Sequence, residues 1–224
     1  MPRITRVVLT FVTLFVVCGS AFFIIANWSA ILEKLAWWLG NDRYKVAEVD
    51  GLGVNSEIIP PDDRLVIPKL AVNAPLLFPS SSEDARLLEE LREGVVHYPG
   101  TALPGQPGNL FITGHSSQLA WEEGRYKDVF ALLNRLEPGD SVLVYYQRTK
   151  YVYQVTGERK VDPSETSILD ITEEPSLTLM TCWPVGTIAR RLIVTGRLAE
   201  GTQTTSGPGE LIPTTKPSTL PAAR

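Results

Sequence analysis

The sequence predicts a mainly β fold: a closed barrel of about eight strands with short helices on its rim, behind one N-terminal transmembrane helix. Three observations lead there. Short apolar runs recur between residues 65 and 198, several with the period-2 alternation of strands, and Gly, Pro or polar turn residues separate them. Two stretches, 84–93 and 126–136, carry apolar residues at helical spacing instead. Residues 7–26 contain no charge at all.

That uncharged run is twenty residues long. As a helix it rises about 30 Å, the thickness of a bilayer's hydrocarbon core. Arg3 and Arg6 precede it, so the positive-inside rule leaves residues 1–6 in the cytoplasm and the rest outside. A cleaved signal peptide is the competing reading, with small residues at 19–21 and 29–30. Its apolar core is usually about 7–15 residues, shorter than this one. Trp28, Trp37 and Trp38 suit the membrane–water interface, where 28–38 forms a short interfacial helix. Residues 27–61 read as a juxtamembrane segment and linker, with Gly, Pro and acids but no clear period after 40.

The domain follows at 62–199. Residues 65–70 are the first strand and 72–78 the second. Leu87, Leu88 and Leu91 make one stripe of the helix at 84–93, which Ser81 or Ser82 caps. A turn-rich run at 98–108 leads into a strand over 109–115. Val129, Phe130, Leu132, Leu133 and Leu136 define a second helix over 126–136, stopped by Pro138-Gly139-Asp140. Strands at 141–146 and 151–155 are joined by a polar turn at 147–150. A short strand at 160–163 precedes those at 177–182 and 192–198. The Thr-, Pro- and Ser-rich tail, 200–224, lacks the apolar content to pack and reads as disordered.

Net charge is −4 with no block of Lys and Arg, which argues against a nucleic-acid partner. There are two cysteines, too few for a disulfide framework. Cys18 lies in the apolar run, so Cys182 is the one outside it. A free thiol on an extracellular domain points to chemistry. Leu177, Leu179 and Thr181 alternate with Thr178, Met180 and Cys182, and Pro184 ends the strand, so Cys182 sits at a strand terminus. His115 closes one earlier apolar strand and Arg191 opens a later one. Alternation sends Arg190 and Arg191 to opposite faces, with Ile193 on the side of Arg191.

The run T-L-M-T-C-W-P at 178–184, R-L-I-V at 191–194, G-N-L-F-I-T-G-H at 108–115, H-Y-P-G-T-A-L-P-G at 97–105 and L-V-I-P-K-L at 65–70 together resemble the sortases, cysteine transpeptidases of the bacterial cell surface. The resemblance covers roughly residues 62–199. It implies the sortase β-barrel, with Cys182 as nucleophile, His115 as its acid–base partner, Arg191 as oxyanion donor and Thr181, the residue before the nucleophile, as a substrate contact. The family's T-C-x-P-x-G pattern, followed by an arginine just before the apolar strand, selects Arg191 over its solvated neighbour Arg190. The short Cys182-to-Arg191 connection resembles the pilin-type and shorter housekeeping-type classes. Neither a cofactor nor a metal is expected, and Glu122, Glu123 and Asp128 read as a solvated face. The implied partners are secreted proteins bearing a C-terminal sorting signal, an amine of peptidoglycan or of a pilin, and the membrane itself.

The thiolate of a cysteine is the nucleophile, and its thiol has a pKa near 8.5, so a base or cation must accompany it. Attack on a peptide carbonyl gives a thioester, imidazolium protonates the leaving amine, and a guanidinium supplies charge-assisted donors to the oxyanion. His97 falls in H-Y-P-G, away from the G-H motif, and reads as a packed, turn-stabilising histidine. No Asp-Pro-aromatic lid motif occurs before residue 63, although Pro60-Pro61-Asp62-Asp63 stands there. Residues 211–215 resemble a sorting signal faintly, without the apolar segment and basic end of one. Papain-like proteases run Cys before His, caspases carry Q-A-C-x-G, and L,D-transpeptidases carry S-H-G-C; none fits. The non-enzyme alternative is a membrane-tethered extracellular β-domain that binds a wall component or partner.

Overall fold

The computed structural model of the protein describes residues 3–39, 59–81, 83–117, 124–200 and 220. Of the juxtamembrane segment and linker expected at 27–61, residues 40–58 lie outside the described residues, as do Glu122, Glu123 and the tail apart from Leu220.

Two helices come first. Helix α1 spans Arg3–Ala26 and α2 spans Trp28–Trp38, separated by a turn at Asn27. The Arg6–Ala26 stretch is long and apolar enough to cross a membrane, and its most apolar run is not buried against the described residues. Phe11 and Phe15 are exposed along this helix, and a lipid environment would cover such a surface.

Eight strands then close a barrel in the order β1-β2-β3-β4-β7-β8-β6-β5. They are β1 Arg64–Ile67, β2 Val72–Leu77, β3 Val95–His97, β4 Gly108–Thr113, β5 Ser141–Tyr146, β6 Thr149–Val161, β7 Pro175–Trp183 and β8 Arg190–Glu200. The β2–β3 and β4–β7 pairs are parallel and the other six antiparallel. Among the described residues, closure leaves no long unpaired edge. The closed eight-stranded barrel expected from the sequence is therefore the observed fold.

Period-2 alternation divides every strand between two environments. Leu65, Ile67, Leu110, Ile112, Leu177, Leu179, Leu192 and Val194 fill the interior. Phe111, Met180 and Ile193 point outward into a second cluster with Leu87 of helix α3, Asp84–Glu90, and Leu91, the residue that caps its C-terminus. So β4, β7 and β8 are apolar on both faces. Their outer face is covered, and Cys182 lies on it.

Several elements differ from expectation. Strand β1 ends at Ile67, and Pro68–Leu70 forms a 3₁₀ turn, since Pro68 has no N–H to give the ladder. The cap of α3 is Glu83, whose own N–H is accepted by the Ser81 hydroxyl at 3.2 Å. Leu87 and Leu91 of the apolar stripe are buried, whereas Leu88 faces solvent. Strand β3 falls between the expected elements. Residues 126–136 are not an α-helix but turns leading to a 3₁₀ turn at Leu133–Arg135. The Phe130 N–H is taken by the His115 carbonyl, and Ala131 and Leu133 bond back three residues rather than four. Residues 151–155 and 160–163 belong largely to one strand, β6, kept continuous through its polar middle by register shifts against β8. The β5–β6 turn tightens to Gln147 and Arg148, both at positive φ, the backbone a two-residue hairpin needs.

Candidate active site

Cys182 is the penultimate residue of β7, and its partner across the antiparallel ladder is Arg191, the second residue of β8. Directly opposed residues share a face. Met180 and Ile193, one pleat further along, are also paired and belong to the outer cluster, so Cys182 and Arg191 open onto the outer face of the barrel. Arg190 pairs with Trp183 and is exposed.

His115 reaches the same place through the parallel β4–β7 pair, whose register ends at Thr113 against Met180. Two further contacts extend it past the end of β4. The Gly114 N–H donates to the Met180 carbonyl at 3.1 Å, and the Thr181 hydroxyl donates to the Gly114 carbonyl at 2.7 Å. Continued by two residues, this register brings His115 beside Cys182. Neighbouring strands lie about 4.8 Å apart. From the other side, Phe130 N–H donates to the His115 carbonyl at 2.9 Å. Gly114 is required in this loop, because a Cβ there would lie 2.6 Å from the Phe130 ring.

Burial is extreme for such polar groups: relative exposure is 0% for Cys182, 1% for His115 and 3% for Arg191. The guanidinium of Arg191 donates to three main-chain carbonyls. Nη1 reaches Ile188 at 3.0 Å and Arg190 at 3.2 Å, and Nη2 reaches Leu220 at 3.2 Å. The first two hold the arginine against the β7–β8 connection.

A sequence model of the Sortase domain matches residues 65–199, more than half of the chain. The chain belongs to the sortase family. It is 28% identical over 137 residues to Sortase D of Bacillus subtilis, a match covering 59% of this chain and 61% of that one. It is 33% identical over 151 residues to Sortase SrtE1 of Streptomyces coelicolor, covering 61% of this chain and 40% of that one. The chain thus spans less than two thirds of the length of both relatives. Among solved structures, sortase E from Streptomyces avermitilis superimposes with a TM-score of 0.51 at 29% identity, over 68% of this chain and 96% of that one.

Around the sortase cysteine, the rim carries groups that the sequence did not announce. Trp183 is flanked by two ammonium groups, with Lys34 Nζ 5.6 Å and Lys160 Nζ 5.1 Å from its ring centroid. Lys34 belongs to α2, so the juxtamembrane helix meets the domain at the residue following Cys182. Its burial, together with the charge of Arg135, holds the Lys34 ammonium below the usual lysine range. Asn27 is buried against Gly186, at φ 85°, and the Gly186 N–H donates to the Ser117 hydroxyl at 2.9 Å.

Thr181 lies on the interior face, opposite Leu192, with its hydroxyl committed to Gly114. The resemblance implies a substrate contact for Thr181, with a plain strand threonine as the alternative; in the structure its hydroxyl ties the Cys182 strand to the His115 loop. His97 is remote in role. Its Nε2 lies 3.1 Å from the Ala102 carbonyl and 3.0 Å from the Thr101 hydroxyl, and its ring stacks on Phe78 at 5.1 Å. Asp128 accepts the Ala131 N–H through its carbonyl, as a turn residue.

Proposed function

We propose that the chain is a membrane-anchored cysteine transpeptidase, acting outside the cytoplasm on the C-terminal sorting signal of secreted proteins. The observation that carries this reading is the convergence of β4, β7 and β8 on one outer-face position that has a thiol, an imidazole and a guanidinium. The family's activity supports it, and so does the apolar helix behind Arg3 and Arg6, which favours an outward-facing domain.

In this reading the Cys182 thiolate attacks a peptide carbonyl carbon. The tetrahedral oxyanion is stabilised by Arg191, whose Nη2 already donates to a peptide carbonyl. The C–N bond breaks, and the imidazolium of His115 gives its proton to the departing amine. The resulting thioester is then attacked by an amine of peptidoglycan or of a pilin. That amine's proton passes to His115, and the thiolate leaves. Thr181 and Gly114 hold the His115 loop in register with β7.

The test is mass spectrometry of the full chain incubated with sorting-signal peptides, without and with an added amine. An adduct on Cys182 that the amine resolves into a transfer product supports the reading. Absence of any acyl adduct across a peptide library removes it.

A further inference from the structure

On the outer face, beside Cys182 and Arg191, sits a residue far away in the chain. Leu220 is 2% exposed. Its N–H donates to the Pro163 carbonyl at 2.6 Å, and its carbonyl accepts from Arg191 Nη2 at 3.2 Å. Its side chain packs in the outer cluster with Val161, Ile168, Met180 and Ile193. These contacts form one seat. Val161 is the ladder partner of Arg191, and Met180 that of Ile193. The Met180–Ile193 pair is one pleat, about 7 Å, along the strands from the Cys182–Arg191 pair. Leu220 therefore has both backbone groups and its side chain satisfied on the face that carries the thiol.

We propose that Leu220 is an internal ligand of the sortase's peptide cleft, competing with incoming peptide for the face that carries Cys182. The proposal rests on the reading of that face as a site of peptide acylation. Its recognition elements are generic to an extended peptide: one N–H, one C=O and one leucine-sized apolar side chain. Nothing in them is particular to the chain's own tail, so a peptide with leucine in this position meets the same donor, acceptor and pocket. Arg191 cannot give the same Nη2 hydrogen to Leu220 and to a substrate carbonyl at once.

The tether permits this. Strand β8 carries the chain from Arg191 to Glu200, about 30 Å away at roughly 3.3 Å per residue. Nineteen residues separate Glu200 from Leu220, a span of up to about 65 Å, so the return needs no stretched chain. A ligand joined to its site through the same chain meets it at an effective concentration that can reach the order of millimolar. Occupancy then depends on the leucine contact, and a free peptide of better fit displaces it.

The experiment uses the full-length chain in detergent with Cys18→Ser, leaving Cys182 as its one thiol. The rate of Cys182 alkylation by iodoacetamide is measured with Leu220 intact and with Leu220→Asp. Losing the buried leucine should raise the rate at least about tenfold. A synthetic peptide of residues 214–224, supplied at millimolar concentration, should bring the Leu220→Asp chain back towards the slow rate. Equal alkylation of the two chains, or no slowing by the peptide, overturns the proposal. Leu220→Ala, with melting curves for all chains, separates uncovering from unfolding, because a partly unfolded barrel would not be slowed by the peptide. If the alkylation difference and the peptide effect hold while no peptide ever acylates Cys182, the internal ligand stands and the transpeptidase reading falls.

Discussion

Cys182 and Arg191 are direct cross-strand partners in the β7–β8 ladder, whereas Arg190 pairs with Trp183 and faces solvent. The two arginines should therefore behave differently. Removing one oxyanion donor typically costs about 10²–10³ in rate. Arg191→Ala should lose at least that in kcat/KM for a sorting peptide. Arg191→Lys should recover little, because an ammonium lacks the planar fork that reaches several carbonyls at once. Arg190→Ala should cost little. The kinetics are compared on protein with matched melting temperature. A greater loss for Arg190→Ala would move the assignment by one residue.

Cys182→Ala should abolish acyl-enzyme formation while leaving the barrel folded. The alanine removes one buried sulfur from the outer face and leaves the interior core untouched. Intact-mass measurement after incubation with peptide checks the first part and circular dichroism the second. An adduct on the alanine variant would end the nucleophile assignment.

The strand faces were legible in the sequence because period 2 is a local property. Residues 177–182 and 191–194 could be divided into two faces from their letters alone, and β7 and β8 obey that division. What escaped was set by distant partners. The apolar spacing of 126–136 is that of a helix, yet the carbonyl of His115 takes the Phe130 N–H, and the segment winds as 3₁₀ turns instead. The polar middle of β6 carries no apolar alternation, and its pairing with β8 holds it in the sheet. A leucine in a Thr- and Pro-rich tail reads as solvated; nothing local says that Leu220 finds an apolar seat beside Arg191. Burial of Lys34 against Trp183 is equally invisible, since α2 and β7 are far apart in sequence.

His97 gives the fold a pH dependence. Burial pushes its imidazole down from the ordinary value of 6.5 to about 4, against the opposing bonds to Ala102 and Thr101. Above the unfolded value of about 6.5, both states are neutral and stability is full. As pH falls from there towards 4, the unfolded chain binds a proton that the folded chain refuses, and stability is lost. Below about 4 both states are protonated and this loss stops growing. A depression of this size corresponds to about 3 kcal/mol over that window. Melting temperatures of the wild-type chain and His97→Gln, taken between pH 7 and pH 4, isolate the effect from the carboxylates. The gap between them should change steadily across this window; a constant gap would show that His97 does not titrate on unfolding.

The tie from Thr181 to Gly114 yields the prediction most particular to this geometry. The hydroxyl lies on the barrel's interior side, opposite in direction to Cys182, so a positioning effect of Thr181 on the reaction would run through the His115 loop. Thr181→Val keeps the β-branched shape but removes the donor. The Gly114 carbonyl then loses a buried bond, a change of about 1–3 kcal/mol. Part of that appears as lowered melting temperature. The rest appears as a looser His115, because Gly114 is the residue that joins it to β7. A purely structural threonine would lower stability and leave kcat unchanged in the protein that remains folded. A positioning threonine should lower kcat more than it raises KM, since proton transfer to the leaving amine depends on where the imidazole stands. Thr181→Ser should restore kcat, as it returns the hydroxyl without the methyl. If Thr181→Val instead raises KM with kcat unchanged, and serine does not rescue it, the residue contacts substrate and the tie to Gly114 is incidental to catalysis.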